Sequence, residues 1–128
     1  MANTKFLRRI LALDSASCAT MGLAMSLGAA GLAPLLGLPE DLVRTAGLLL
    51  LPLACFIGWL ASRPAPPAIL VWLVIGGNLI WTVESFMLLG QHSPTPLGTL
   101  FVSAQAIAVL GLAGLEYVGI RRVRQAAA

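Results

Sequence analysis

Four long apolar stretches, separated by short polar loops, dominate this chain of 128 residues. They cover about 7–36, 42–62, 68–89 and 97–120. As an α-helix, each stretch is long enough to cross the roughly 30 Å hydrocarbon core of a bilayer. A segment inside lipid must satisfy its own backbone hydrogen bonds, which favours helices over open strands. The sequence therefore predicts an all-α polytopic membrane protein, with one four-transmembrane-helix bundle over residues 1–128.

Composition excludes the common soluble classes. Hydrophobic residues make up 59% of the chain and charged residues only 10%, whereas soluble domains carry about 25% charged residues. A chain this short cannot bury so much apolar surface in one globular core. A disordered chain needs the opposite balance, with low hydrophobicity and high charge. A soluble globular enzyme and a disordered protein are both excluded.

The loops contain residues that end and begin helices. Gly37 and Gly90 stand where a helix C-terminus favours a residue that tolerates positive φ. Pro39 predicts the start of the second span. Thr95 and Pro96 predict an N-cap followed by the first helical residue of the fourth span.

Basic residues predict the orientation of the bundle. Seven of the 8 lysines and arginines flank the side that carries both termini, and only Arg44 lies on the other side. The seven are Lys5, Arg8, Arg9, Arg63, Arg121, Arg122 and Arg124. Because cytoplasmic flanks carry an excess of basic residues, we expect both termini in the cytoplasm. The richness in Ala, Gly, Leu and Arg favours a bacterial source, and hence the bacterial inner (plasma) membrane.

The basic N-terminal flank also resembles the start of a signal peptide. However, Asp14 would then lie in the apolar core of that signal, and the apolar stretch continues to about Leu36, beyond the length of a signal peptide. We expect the first span to remain as a membrane helix.

Few residues are suited to catalysis or cofactor binding. Cys18 and Cys55 lie inside apolar stretches without a C-x-x-C motif, and His92 is the single histidine. One histidine excludes a bis-histidine haem and a zinc site built on a histidine pair. P-loop, HExxH and GxSxG motifs are absent from the sequence. We expect no cofactor, no metal and no enzymatic activity.

Ionisable residues inside a span are costly, so each is a candidate functional residue. Asp14 lies five residues after Arg9, and Glu116 lies five residues before Arg121. The helix rise therefore puts both acids at one depth, about 7–8 Å inward from the basic flank. Two carboxylates at one depth are able to hold a proton between them, because like charges oppose joint ionisation. The alternative is that each acid pairs with an arginine of the flank.

Glu84 lies deeper, about 10 Å from the outer end of the third span. Arg44 lies in the first turns of the second span on the same side. A candidate Arg44–Glu84 ion pair would satisfy both charges. The alternative is that Glu84 is a protonatable transport or substrate site.

Uncharged polar residues also occur within the spans. Asn78, Thr82 and Ser85 share one face of the third span. Asn78 and Gln105 both fall near the middle of the membrane, which predicts a hydrogen bond between them that holds helices together. The alternative is that they line a substrate path. A seam of small residues in the fourth span, which we call the small-residue seam, predicts close packing against another helix. The seam comprises Ala104, Ala108, Gly111 and Gly114.

Two function classes follow from these observations. The first is an accessory or interaction module of a membrane complex or of the envelope, since catalytic chemistry is missing and the loops are short. The second is a small oligomeric transporter that uses an intramembrane carboxylate, Asp14 or Glu84. The expected partners are the lipid bilayer and either a membrane protein or further copies of this chain, and we expect no nucleic acid.

Three segments carry a resemblance to known proteins: 11–22 (LALDSASCATMG), 36–39 (LGLP) and 115–122 (LEYVGIRR). In them the chain resembles small four-helix bacterial inner-membrane proteins of unknown function. The resemblance covers most of the chain and implies the fold and the location, but no activity.

The size, the four spans and Asp14 in the first span are also similar to the small multidrug resistance family. That resemblance would imply a small transporter that acts as an oligomer. The chain departs from the family in its longer first span and in lacking the aromatic residues expected around the drug site of that helix. Its one-sided charge also differs from the dual topology common in that family.

Overall fold

The computed structural model describes residues 4–127, which fold into five α-helices. Their bounds are α1 Thr4–Leu27, α2 Ala29–Leu36, α3 Glu40–Ala61, α4 Ala68–Gln91 and α5 Pro96–Ala127. Four of them, α1, α3, α4 and α5, are long and apolar enough to cross a membrane. The predicted all-α architecture with four membrane-length helices is therefore confirmed, and no strand occurs within residues 4–127.

The first apolar stretch forms two helices rather than the single helix predicted over about 7–36. α1 and α2 meet at Gly28, which has φ −104° and ψ 14°. Glycine is among the weakest helix formers, and Pro34 inside α2 has no amide hydrogen to donate to the carbonyl of Ala30. Gly28 therefore weakens the helix at the break itself, and Pro34 weakens it one to two turns later.

α1 and α3 pack along each other and approach most closely at two glycines. A Cβ atom on Gly22 would lie 3.0 Å from the carbonyl oxygen of Gly47. A Cβ atom on Gly47 would lie 2.5 Å from the amide nitrogen of Ser26. Since lipid offers no hydrophobic drive for helix association, such close backbone contact is what stabilises the crossing.

α4 and α5 form the second closely packed pair, and contacts between α1 and α5 join the two pairs. α3 and α4 are consecutive in the chain but touch at few positions. A cleft therefore remains between α3 and α4, and side chains of α5 line part of it.

The small-residue seam predicted to pack on α5 faces outward, so this prediction is wrong within one chain. All four of its residues are exposed, and Cβ atoms on its two glycines would meet nothing within 4 Å. The packed face of α5 carries other residues, namely Val102, Ala106, Ala113, Glu116 and Ile120. α5 thus packs on α1 and α4 through a face that combines large and small residues, and Gly119 lies there close to Leu7.

One end of the bundle gathers both chain ends and basic side chains. The guanidinium of Arg122 lies 4.5 Å from the ring centre of Phe6. Nε of Arg8 donates a hydrogen bond of 3.1 Å to the carbonyl of Ala61, the last residue of α3. The start of α1 and the ends of α3 and α5 therefore lie at the same end.

The opposite end is closed by the loop before α5. The hydroxyl of Thr95 donates to the carbonyl of Leu35 at 2.6 Å and accepts from the amide of Gly98 at 3.0 Å. Gly37 caps α2 at φ 69°, a left-handed conformation that glycine adopts without strain. Both predicted caps are confirmed. Gly90 is not a cap, because α4 continues through it to Gln91.

Candidate functional site

Asp14, Asn78 and Glu116 lie on the buried stripes of α1, α4 and α5. Residues three or four positions away share a helix face, and those neighbours are apolar and buried. They are Leu11 for Asp14, Val74 and Ile75 for Asn78, and Ala113 and Ile120 for Glu116. The apolar stripe that drives packing therefore also carries the two acids into the core.

The amide of Asn78 joins the two acids. Its Nδ2 donates to Oδ2 of Asp14 at 2.8 Å and to Oε1 of Glu116 at 2.9 Å. Asp14 is 1% exposed and Glu116 is fully buried. The prediction that Asp14 and Glu116 share one depth is confirmed by this common donor.

The two carboxyl groups are close neighbours. Two oxygens that accept from the same nitrogen at these distances lie within about 6 Å of each other. At that separation, away from water, two negative charges repel each other strongly. The geometry is suited to a carboxyl pair that holds one cation, the smallest of which is a proton.

Arginines of the basic flank do not neutralise this pair. Within residues 4–127 the ion pairs are confined to the first turns of α3, where Arg44 meets Glu40 and Asp41. Arg121 instead stacks over Tyr117. The alternative in which each buried acid pairs with a flanking arginine is wrong, because the acids turn into the core.

One oxygen of the pair lacks a hydrogen-bond donor. Oε2 of Glu116 is buried, and no described N–H or O–H group reaches it. On the other acid, the thiol of Cys18 donates to Oδ1 of Asp14 at 3.7 Å. A buried acceptor without a donor is costly, so Oε2 is the atom of the pair where a bound proton would relieve the largest penalty.

Gln105 belongs to a separate polar group. Its Oε1 accepts from Nε1 of Trp81 at 2.8 Å, and its Nε2 donates to Oγ of Ser85 at 2.9 Å. The predicted bond between Asn78 and Gln105 is therefore wrong. Asn78 bonds the two acids, whereas Gln105 of α5 bonds residues nearer the C-terminal end of α4, namely Trp81 and Ser85.

The predicted Arg44–Glu84 ion pair is also not formed. NH2 of Arg44 lies 2.6 Å from Oε2 of Glu40, one turn earlier on α3. Glu84 is exposed on α4. The sparse contact between α3 and α4 explains the difference, because Arg44 reaches an acid on its own helix more easily than one across the cleft.

Two cavities occupy the cleft between α3 and α4. The first, of about 200 Å³, is lined by Asn78 and by Cys18, the two donors to Asp14; we call it the Asn78 cavity. The second, of about 330 Å³, is lined by Glu84 and Gln105; we call it the Glu84 cavity. The side chain of Trp81 lines both.

Comparison with family models, with curated proteins and with solved structures finds no match to this chain.

Sequence reasoning missed Trp81 and the role of Cys18. Trp81 lies three residues after Asn78, and Cys18 lies four residues after Asp14, spacings that place each beside the residue named. These helical spacings are the sequence signal that places Trp81 and Cys18 next to the site residues. Which partner helix these side chains would meet could not be read from the spacing.

Proposed function

We propose that this chain is a small membrane transporter whose coupling site is the carboxyl pair Asp14–Glu116, bridged by Asn78. The observation that carries the proposal is one amide that bonds two buried carboxyl groups, with no basic side chain paired to them. Intramembrane carboxyl groups of this kind are typical of proton and cation pathways.

The energetics favour a site that binds a cation over a purely structural one. Two like charges within about 6 Å of each other in apolar surroundings destabilise the fold unless one is neutralised. A helix contact held by Asn78 alone would avoid this penalty. A carboxyl pair that takes up one proton carries a single negative charge. Each of its two carboxyl groups still supplies one oxygen that accepts a hydrogen bond from the Asn78 amide.

The Asn78 cavity supplies an approach to the pair. Asn78 and Cys18 line it and both donate to Asp14. A ligand or a water in this cavity is therefore one side chain away from the carboxyl groups. Movement of the Asn78 amide would expose Asp14 to the cavity. The same movement would then accompany both the binding of a substrate and the release of the proton.

Infrared spectroscopy of the purified protein in detergent tests the proposal. A protonated carboxylic acid has a carbonyl band distinct from that of a carboxylate. We expect this band in the wild type, and we expect it to disappear as the pH is raised. The double variant Asp14→Asn/Glu116→Gln should remove the titrating band, while Glu84→Gln, the matched control in another part of the cleft, should keep it.

Two results would contradict transport at this pair. A band that persists unchanged over the whole pH range in which the protein stays folded would mean a permanently held proton, and hence a structural lock. The same titrating band in Asp14→Asn/Glu116→Gln would assign the proton to a different group.

The second candidate function is the accessory or interaction module. The observation that favours it is the small-residue seam on α5, which is exposed and open to the close approach of another helix. Native mass spectrometry of the protein released directly from its membranes distinguishes the two. A stoichiometric foreign subunit supports the accessory role, and a homo-oligomer supports the transporter.

We further propose that the protein lies in a bacterial inner membrane with both termini in the cytoplasm. Support comes from the excess of basic residues at the end where Phe6 and Arg122 meet. Single cysteines in a Cys18→Ser/Cys55→Ser background test the orientation. A membrane-impermeant thiol reagent should label Ser93→Cys in intact cells, but Gln125→Cys only after the membrane is opened. The reverse pattern would overturn this orientation.

A further inference from the structure

The Glu84 cavity combines one carboxylate with apolar and aromatic walls. It lies between α3 and α4 and has a volume of about 330 Å³. Glu84 is the only ionisable side chain among the residues that line it. Trp81 and Phe101 supply aromatic surface, and Leu49 and Leu88 supply aliphatic surface.

Three of the other polar side chains of this cavity, those of Trp81, Ser85 and Gln105, are already hydrogen-bonded. Gln105 bonds to Trp81 and to Ser85, and Ser85 in turn donates to the carbonyl of Trp81 at 2.7 Å. Glu84 is different, because no hydrogen bond or ion pair links it to any group within residues 4–127. Its nearest candidate partner by sequence, Arg44, is engaged with Glu40.

This combination fits one ligand chemistry. An intramembrane carboxylate requires a cation nearby, and aromatic faces attract organic ammonium groups through their negative π surface. Apolar walls favour a ligand with a hydrocarbon body. A metal ion is disfavoured, since Glu84 is the single acidic ligand in the cavity and the walls offer few oxygen atoms.

We propose that the Glu84 cavity binds an amphipathic organic ammonium, with its charge at Glu84 beside Trp81 and its apolar body against Leu49, Leu88 and Phe101. The binding site does not depend on the carboxyl pair. Its role as the substrate site of a transporter rests on the proposed function. Since Trp81 lines both cavities, the same side chain separates this ligand from Asn78.

Tryptophan fluorescence tests the proposal in a neutral maltoside detergent, which carries no ammonium of its own. Trp59→Phe and Trp72→Phe remove the other two tryptophans, both exposed, and leave Trp81 as the only reporter. The probe is benzyltrimethylammonium, whose charge is independent of pH. Neopentylbenzene, its uncharged carbon analogue, measures the contribution of the apolar body alone.

We expect a saturable change in Trp81 emission with benzyltrimethylammonium. Glu84→Gln should raise the Kd for this probe at least about tenfold, as expected for the loss of one charged partner. The control Asp41→Asn removes a fully exposed acid that does not line the cavity and leaves the Arg44–Glu40 pair in place, so it should leave the Kd unchanged. Circular dichroism should show equal helix content for both variants.

Four results would overturn the proposal. One is an unchanged Kd in Glu84→Gln, and another is neopentylbenzene binding as tightly as the ammonium. The third is loss of binding in Asp14→Asn with Glu84→Gln unaffected, which would move the ligand to the buried pair. Displacement of the probe by phosphatidylethanolamine at a concentration below the Kd of the probe would identify a lipid headgroup as the occupant. It would overturn the proposal that the occupant is a free amphipathic amine.

The outcome is separable from that of the proposed function. Ammonium binding that depends on Glu84, together with a carboxyl band that never titrates, would retain the ligand site and reject transport at the pair. A titrating band without ammonium binding would do the reverse.

Discussion

Nδ2 of Asn78 lies 2.8 Å from Oδ2 of Asp14, although 64 residues separate them in the chain. The same nitrogen bonds Glu116 on a third helix. One neutral amide thus connects α1, α4 and α5 through two acidic partners. The hydrogen-bonded contact between these three helices therefore relies on a side chain that carries no charge.

Replacement of Asn78 tests this dependence. Asn78→Leu keeps the number and branching of the side-chain heavy atoms but leaves two buried carboxyl groups without their common donor. We expect a loss of about 2–4 kcal/mol in the free energy of unfolding, the sum for one hydrogen bond to a carboxylate and one to a protonated carboxyl group. Unfolding by sodium dodecyl sulfate in mixed micelles measures it. Thr82→Val, one turn away on the same face, is the matched control and should cost less.

A double-mutant cycle shows whether the cost arises from the acids. In an Asp14→Asn/Glu116→Gln background, Asn78→Leu no longer strands a charged group, so its cost should fall by at least about 1 kcal/mol. An equal cost in both backgrounds would mean that Asn78 acts through packing alone.

The crossing of α1 and α3 gives a second prediction. Gly47→Ala places a Cβ atom 2.5 Å from the backbone nitrogen of Ser26, and backbone cannot move aside as a flexible side chain can. We expect a loss of about 1–3 kcal/mol from overpacking. Gly76→Ala is the control, because nothing lies within 4 Å of its Cβ position. That change should stabilise α4 by up to about 1 kcal/mol, the gain from a better helix former. Equal effects of the two changes would contradict the close crossing.

Thr95 gives a third prediction at the opposite end. Its hydroxyl caps α5 through the amide of Gly98 and also bonds the carbonyl of Leu35. Thr95→Ala should therefore lower the free energy of unfolding by about 1–2 kcal/mol, the sum expected from a lost cap and a lost hydrogen bond. Thr95→Ser keeps the hydroxyl and should recover most of it. A Thr95→Ser variant as unstable as Thr95→Ala would show that the methyl group matters instead.

Much of the fold could be predicted from the sequence, because membrane helices are defined by local properties. Length and hydropathy predict the four long helices, and the caps at Gly37 and Thr95 follow from local chemistry. The break at Gly28 was missed because glycine and proline are tolerated in membrane helices when neighbours satisfy the freed groups. Whether neighbours do so is a tertiary property.

The sequence predicts which residues belong to the site and the depth at which the two acids lie, but not which side chains bond to each other. Depth follows from the helix rise, so Asp14 and Glu116 could be placed on one level from residue counts alone. Rotation of each helix about its axis decides which side chain reaches which neighbour. For that reason Asn78 was paired with Gln105 in the sequence interpretation, whereas packing turns it toward the acids.

The correction at Arg44 gives the last prediction. Because Arg44 pairs with Glu40 on its own helix, the effects of Arg44→Ala and Glu84→Ala on unfolding should be additive within about 0.3–0.5 kcal/mol. Arg44→Ala and Glu40→Ala should instead show a small coupling of about 0.3–0.5 kcal/mol that decreases as salt is added, since the pair is solvent-accessible. The measurement is a pair of double-mutant cycles on unfolding in mixed micelles. A coupling energy above about 1 kcal/mol between Arg44 and Glu84 would mean that α3 and α4 close over the cleft, and the Glu84 carboxylate would then have a partner from within the chain.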